Sequence, residues 1–135
     1  MLSFFFSWSS DQSEIKTIFD SSTEIKNNIL GVKGIAGHYT LDTGDGLVMI
    51  DAGSQLDIDT TYAEIKKWRP DTPVKAAIFT HHHVDHIFAV KHFDEENKKM
   101  GISKPIVYGH ELMPDHFDRY IKTNDWNTAL SLIHI

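Results

Sequence analysis

The chain has 135 residues, a formal net charge of −6 and 24% charged residues, which fits one globular domain and excludes a disordered or fibrous protein. It contains no cysteine, so disulfide scaffolds, thiol catalysis and cysteine-ligated metals are excluded, and any metal must bind histidines and carboxylates. With 13 basic against 19 acidic residues and no basic run, the sequence predicts no nucleic-acid partner.

The apolar N-terminal segment, around residues 4–8, is too short to cross a bilayer. It also lacks the basic start and small-residue cleavage site of a signal peptide, so we expect a soluble, cytoplasmic protein with no membrane partner. Residues 10–19 have the spacing of a short amphipathic helix or an ordered loop. We assign residues 1–26 to an N-terminal extension and residues 27–135 to a single domain.

Short apolar runs separated by glycines follow this extension, and they predict a β-meander. The predicted strands are residues 29–32, 35–41 and 47–50. Between the last two, Asp45 and Gly46 suit the positive-φ positions of a tight turn. The last run has no polar residue and is therefore suited to burial on both faces.

The second half of the chain alternates between helical and extended patterns. In chain order the elements are a helix at 58–68, a strand at 74–79, a helix at 87–100, a strand at 105–108 and a helix at 111–121. Arg69 and Pro70 end the first helix, and Gly101 suits the C-terminal cap of the second. Strands followed by alternating strands and helices predict a layered α/β domain.

The loop after the strand at 74–79 carries most of the candidate chemistry. Its sequence is Thr80-His81-His82-His83-Val84-Asp85-His86. If extended geometry continues into the loop, His81, His83 and Asp85 point one way and His82 the other. His86, at the start of the next helix, can return toward the same point, and loops at the carboxyl ends of strands are where α/β sheets bind ligands.

Imidazoles and carboxylates in this arrangement predict a site for one or two divalent metal ions. Zinc, iron and manganese all accept such ligands. A bound divalent ion lowers the pKa of its water to about 7 and polarises the bond under attack, so the chemistry that the loop suggests is hydrolysis.

The spacing His81-x-His83-x-Asp85-His86, with Asp51 at the end of an earlier strand, resembles the HxHxDH signature of the metallo-β-lactamase superfamily. The resemblance covers roughly residues 28–108, including the order of strands and helix around Asp-Ala-Gly. It implies an αββα sandwich, of which this chain would hold the N-terminal half.

The resemblance also implies roles for single residues. His81 and His83 would be two of the three histidines of a first metal site, and Asp85 and His86 would belong to a second. Asp85 would be the catalytic residue, which orients the nucleophilic water and handles its proton. Asp51 would be the carboxylate that braces the loop. The implied cofactor is zinc, and the implied reaction is attack by metal-bound hydroxide on an ester-like bond.

The stretch from Arg69 to His81 is similar to the alkyl- and aryl-sulfatase-like branch of that superfamily. Sulfate esters are therefore the leading small-molecule substrate class. Lactones, thioesters, phosphodiesters and β-lactams stay open, because the loops that set selectivity are not identified in this sequence.

The resembling family places a third histidine, a bridging aspartate and a last histidine on later strands, but only 49 residues follow His86. His110, at another strand end, is a candidate extra ligand, with a helix-entry role as its alternative. Three hypotheses follow: the N-terminal part of a longer hydrolase, a truncated non-catalytic metal-binding fragment that oligomerises, or a self-contained hydrolase that recruits His110 or a second subunit's histidine.

The remaining histidines receive structural interpretations. His92 and His116 fit exposed helix positions, and His82 fits a side chain that points away from the metals. His38, beside Tyr39 in a strand, fits a buried histidine whose hydrogen bonds are satisfied.

Overall fold

Six strands form one mixed sheet in the computed structural model, which describes the backbone of residues 22–133 and the side chains of residues 22–123. The strands lie across the sheet in chain order. They are β1 (Ser22–Lys26), β2 (Ile29–Val32), β3 (His38–Asp42), β4 (Leu47–Ile50), β5 (Val74–Ile78) and β6 (Ile106–Tyr108). The helix or loop predicted at 10–19 lies outside the described residues.

Three helices accompany the sheet: α1 (Ile58–Trp68), α2 (Val90–Lys99) and α3 (Met113–Ile133), which is kinked at Thr123. Strands β1 to β4 pair antiparallel, and β5 pairs parallel with both β4 and β6. A meander followed by two helical crossovers is a layered α/β arrangement, which confirms the fold class predicted from the sequence.

One face of the sheet packs against α1 and α2. Leu30 of β2, Met49 of β4 and Ala77 of β5 lie on this face, and all three are buried. They form one hydrophobic core with Ile65 of α1 and Phe93 of α2. Because side chains alternate between the two faces of a strand, this core explains the period-2 pattern of the strands.

The opposite face of the sheet keeps apolar side chains in solvent. Tyr39, Ile78 and Tyr108 are cross-strand neighbours or near neighbours in one row, and they are 49%, 40% and 55% exposed. Ile106, one row further along β6, is 59% exposed. Within the described residues, therefore, only one side of the sheet is covered by helices.

Several element boundaries differ from the sequence-based expectations. The sequence patterns predict no strand at residues 22–26, but this segment forms β1 and pairs antiparallel with β2. β3 begins at His38 rather than at residue 35, because the segment between Gly34 and Gly37 turns. α2 begins at Val90, after a short 3-10 turn at Val84–His86. The predicted division of the chain at residue 26 stays a prediction.

Glycines take the positive-φ positions at two element ends. In the turn between β3 and β4, φ is 83° at Gly44 and 146° at Gly46, so the expectation of a positive φ at Asp45 is wrong. Gly101 follows α2 with φ of 71°, which confirms its predicted role as a C-terminal cap. In the described part of the chain, no helix combines the length and apolar character that crossing a bilayer requires.

Candidate metal centre

Two neighbouring loops meet at the carboxyl ends of β4 and β5. Because these strands are parallel neighbours, the segments that follow them emerge at the same edge of the sheet. Backbone hydrogen bonds join the two segments: Ala52 N donates to His86 O at 2.7 Å, and Ala89 N donates to Ala52 O at 3.1 Å. These hydrogen bonds hold the loop at residues 80–86, called the histidine loop below, against the segment that carries Asp51.

Asp51 has a strained backbone and a fully engaged carboxylate. Its φ of 58° lies in the left-handed region, which no other non-glycine residue of the described chain adopts. Oδ1 accepts a hydrogen bond from Thr80 N at 2.9 Å, and Oδ2 contacts Thr80 Oγ1 at 2.8 Å and His86 Nδ1 at 3.1 Å. These bonds offset a backbone cost on the order of 1–3 kcal/mol and hold the carboxylate against the loop.

Three imidazoles of the loop lie close together, and two of them are near the Asp51 carboxylate. The ring of His81 lies 4.6 Å from that of His83 and 4.2 Å from that of His86, centroid to centroid, both edge-on. One ligand atom each from Asp51, His81 and His86 falls within 4.8 Å of the others. The geometry therefore brings together donors from both predicted metal sites.

The hydrogen bonds of this group distinguish a bracing residue from ligands. Both oxygens of Asp51 already accept hydrogen bonds, which suits the predicted brace rather than a direct ligand. His86 uses Nδ1 for Asp51, and His81 uses Nδ1 for Thr80 Oγ1 at 2.9 Å. Nε2 of each ring stays available, so this donor set fits a cation that accepts imidazole nitrogen.

His83 and Asp85 lie beside this group but not in its centre. His83 precedes the 3-10 turn and touches the ring of His81. Asp85 has a side chain that is 45% exposed, and its Oδ2 lies 3.7 Å from His86 Nε2. Both residues are within the same loop as His81 and His86, and their ligand roles stay predictions.

His110 occupies the position that its alternative interpretation describes. It is exposed, and its Nδ1 accepts a hydrogen bond from Leu112 N at 3.2 Å, just before α3 begins. It is not part of the close group formed by Asp51, His81 and His86. Its assignment as an extra metal ligand stays a prediction that the geometry does not favour.

His116 contacts the histidine loop, which the sequence analysis missed. Its ring is half-buried and stacks on His82, with centroids 4.1 Å apart and planes 21° apart, and Tyr120 lies 6.2 Å from His82. Desolvation and the neighbouring His116 lower the pKa of His82. The expectation of an exposed His116 is wrong, and the available signal was the i, i+4 spacing of His116 and Tyr120 on one helix face. The same expectation is wrong for His92, which is half-buried with its ring 6.1 Å from that of Tyr62.

His38 is buried beneath the Asp51 segment. A Cβ at Gly53, where φ is 68°, would come within 3.6 Å of His38 Nδ1 and 3.1 Å of Thr61 Oγ1. Burial lowers the pKa of His38 to about 4, against Asp57 and Asp51, which raise it. His38 Nε2 has no hydrogen-bond partner among the described residues, so the expectation of a fully satisfied histidine is wrong.

A cavity of about 460 Å³ lies elsewhere, beside β1, β2 and β3, and shares no residue with the histidine loop. Its walls include Ile25, Gly31 and Tyr39 on the uncovered sheet face. The cavity is also lined by Lys33 and His38, but it includes none of the residues of the close histidine group.

Comparison with known proteins gives a consistent result. The model of a family described as the metallo-beta-lactamase superfamily matches residues 38–128. A linear primary-alkylsulfatase of Pseudomonas sp. (strain ATCC 19151) is 36% identical over 78 residues, which are 56% of this chain and 14% of that protein. The chain thus spans about a seventh of this curated relative.

Solved structures show the same likeness. A double mutant of the sec-alkyl sulfatase PisA1 superposes with a TM-score of 0.56 at 25% identity, over 71% of this chain and 16% of that one. A metallo-beta-lactamase of Cronobacter sakazakii with a HARLDQ motif gives a TM-score of 0.51 at 15% identity, over 71% of this chain and 34% of that one. The second likeness concerns the fold alone.

Proposed function

The chain belongs to the metallo-β-lactamase superfamily and carries the N-terminal portion of its fold, and from this premise we propose that it contributes the metal-binding loop of a hydrolase of ester-type bonds. Sulfate esters are the leading substrate class. The superfamily and the relatives found here are hydrolases, whereas the substrate and the mechanism of this protein are our proposal.

One observation carries the metal part of the proposal. A single carboxylate, Asp51, holds His86 directly and His81 through Thr80, so that both rings use Nδ1 for support. We propose that His81, His83, Asp85 and His86 bind one or two divalent ions, with zinc first and iron or manganese as alternatives. When bound, such an ion would supply Lewis acidity at neutral pH.

We propose different roles for the residues that orient the ligands and for the residue that accepts a proton. Asp51 and Thr80 orient imidazoles and exclude other ring orientations. Asp85, whose carboxylate is nearly half exposed and 3.7 Å from His86 Nε2, is placed to accept the proton of the attacking water. It is the proposed catalytic residue.

The sulfate-ester assignment rests on the two sulfatases. The curated relative acts, by its name, on linear primary alkyl sulfates, and the solved relative is a sec-alkyl sulfatase. Both agree with the resemblance of residues 69–81 to the sulfatase-like branch. Lactones, thioesters, phosphodiesters and β-lactams are the alternatives, and the β-lactamase comparison supports only the fold.

A second candidate function follows from the uncovered face of the sheet. Ile78, Ile106 and Tyr108 are each at least 40% exposed, and patches of this kind favour self-association. We propose, as the alternative, a non-catalytic metal-binding or assembly chain that cannot complete its metal site and that forms homo-oligomers. A self-contained hydrolase that takes a histidine from His110 or from a second subunit is the third hypothesis.

Metal content separates these hypotheses. Elemental analysis of the dialysed 135-residue chain should give about one to two equivalents of zinc, iron or manganese per chain, and a His81→Ala, His83→Ala variant should lose them. His92→Gln, which removes an imidazole of α2 outside the close group but keeps a long side chain at this half-buried position, is the matched control and should retain the metal. His110→Ala tests the extra ligand.

Metal-loaded protein is then assayed for sulfate release from a linear alkyl sulfate, next to lactone, thioester and β-lactam substrates. Release that disappears with the double variant supports the sulfatase proposal. Less than about 0.2 equivalents in a self-associating sample would overturn the self-contained hydrolase and favour a non-catalytic chain that cannot complete the metal site by itself. The cytoplasmic location and the small-molecule partner stay predictions.

A further inference from the structure

Thr80 lies between the bracing carboxylate and the first histidine of the loop. Its Oγ1 is 2.8 Å from Asp51 Oδ2 and 2.9 Å from His81 Nδ1, and its backbone N donates to Asp51 Oδ1 at 2.9 Å. One hydroxyl therefore contacts two groups whose orientation matters for the proposed metal site.

The direction of these two bonds follows from the donors available. A hydroxyl carries one hydrogen, and a carboxylate can only accept hydrogen bonds. Thr80 must therefore donate its hydrogen to Asp51, and its oxygen is left to accept. The contact with His81 is then a hydrogen bond in which His81 Nδ1–H donates to Thr80 Oγ1.

We infer that Thr80 is a positioning residue that fixes the tautomer of His81. A neutral imidazole carries its hydrogen on either Nδ1 or Nε2, and the hydrogen bond of one nitrogen decides which. With Nδ1–H committed to Thr80, the lone pair of His81 lies on Nε2. That nitrogen is the one left for a cation.

The carboxylate of Asp51 thereby fixes the tautomers of two imidazoles. Asp51 Oδ2 accepts from Thr80 Oγ1 and also from His86 Nδ1 at 3.1 Å, so His86 is fixed in the same tautomer as His81. The chain of bonds runs from His81 through Thr80 to Asp51 and from His86 to Asp51. Without the hydroxyl, His81 loses this chain while His86 keeps it, which makes the effect of Thr80 specific to one ring.

The first test concerns the metal-free chain and does not depend on the proposed function. Long-range ¹H–¹⁵N NMR of the histidine rings, at a pH of about 8 where imidazoles are neutral, reports which nitrogen carries hydrogen. In the wild type we expect His81 with a protonated Nδ1, its signals assigned with a His81→Gln variant. A wild-type His81 with its hydrogen on Nε2 overturns the inference outright.

Variants of Thr80 supply the second part of the test. Thr80→Val removes the hydroxyl at constant shape, and we expect His81 to populate both tautomers while His86 stays unchanged. Thr80→Ser should restore the wild-type spectrum. Thr72→Val, in the loop before β5, is the matched control. If Thr80→Val leaves the His81 tautomer as it is in the wild type, the inference is wrong.

The affinity for Zn²⁺ is the third readout, and it is the one that rests on the proposed metal site. Loss of a bond to the outer nitrogen of a ligating histidine costs 10–100-fold, and because Thr80 is exposed and water replaces part of the bond we expect about tenfold for Thr80→Val. Thr80→Ser should bind as the wild type does. If His81 has the predicted tautomer but the wild type binds no zinc, the proposed metal site of this chain is wrong and the inference stands. If the wild type binds zinc without the predicted tautomer, the inference is wrong and the proposed metal site stands.

Discussion

The histidine loop has two halves that are held differently. In the anchored half, Thr80, His81 and His86 form hydrogen bonds that end on Asp51. In the open half, the ring of His83 contacts the rings of His81 and His82, and Asp85 Oδ2 lies 3.7 Å from His86 Nε2. Within the described residues, the side chains of His83 and Asp85 form no hydrogen bond.

This difference indicates which side chains of the site are already ordered before a ligand binds. Groups held in place by supporting hydrogen bonds lose little further freedom on binding, whereas free side chains must be ordered at that moment. We expect the anchored half to contribute stability as well as ligands. The open half should contribute chemistry with little effect on stability, and substitutions in the two halves can break this distinction.

Removing the anchor should have the largest effect. Asp51→Ala deletes the acceptor of three hydrogen bonds and places alanine at a φ of 58°, so we expect a loss of about 4 kcal/mol in the free energy of unfolding. Urea denaturation measures it, and zinc affinity should fall by about 100-fold. Asp51→Asn, which tolerates this φ, should lose less. Unchanged unfolding in Asp51→Ala would mean that the loop does not depend on its anchor.

Acid should destabilise the fold through His38, which is buried beneath the segment that carries Asp51. The pKa of His38, about 4 in the folded chain, is below the ordinary value of 6.5, so the unfolded chain binds the proton first as pH falls. The free energy of unfolding is therefore unaffected by this titration above pH 6.5, and it falls progressively as the pH drops toward 4, by up to about 3 kcal/mol.

Urea unfolding at a series of pH values between these limits measures the slope for His38. The variant His38→Gln removes the titrating ring, so its stability should depend less on pH over the same interval. An equal slope in wild type and variant would show that other groups cause the acid sensitivity, and that His38 does not support the Asp51 segment through its charge state.

The sequence predicted the sheet well where burial sets the pattern. The predicted bounds of the strands Ile29–Val32 and Leu47–Ile50 match, because alternate residues of each strand face the core. The expected burial of residues 47–50 on both faces is wrong for the described chain, because Val48 and Ile50 are only half-buried on the opposite face. β1 was missed because its sequence, Ser-Thr-Glu-Ile-Lys, is mostly exposed at the edge of the sheet. It is a strand because its backbone pairs with β2, and an edge strand of this kind leaves no hydrophobic signal.

The candidate site was predictable in part for a related reason. The spacing of His81, His83, Asp85 and His86 and the position of Asp51 are local features of the sequence, and the structure brings these segments together. The Thr80 hydroxyl bonds depend on the unusual backbone of Asp51, and the contact of His82 with His116 joins segments separated by a helix and a strand. Neither arrangement can be derived from spacing along the chain.

The stack between His82 and His116 should have a smaller effect than the anchor. Aromatic pairs at this distance contribute about 0.5–1.5 kcal/mol, so His116→Ala should lower the free energy of unfolding by about 1 kcal/mol. His116→Phe should keep the stack and most of the stability. A zinc affinity that falls strongly in His116→Ala and not in His116→Phe would show that α3 positions the loop, which would move His82 into the anchored half.

The smallest effect on stability is expected for Asp85, in the open half. Asp85→Asn keeps the volume of a side chain that is 45% exposed, so the free energy of unfolding should change by less than about 0.5 kcal/mol. Loss of a group that accepts a proton in the reaction lowers rates by roughly 10²–10⁴, so hydrolysis by the metal-loaded protein should be nearly abolished. Asp94→Asn, on α2, is the matched control and should affect neither quantity. If Asp85→Asn unfolds as readily as Asp51→Ala, then the carboxylate of the open half is structural, because only a residue that holds the loop together could transmit its loss to the whole chain.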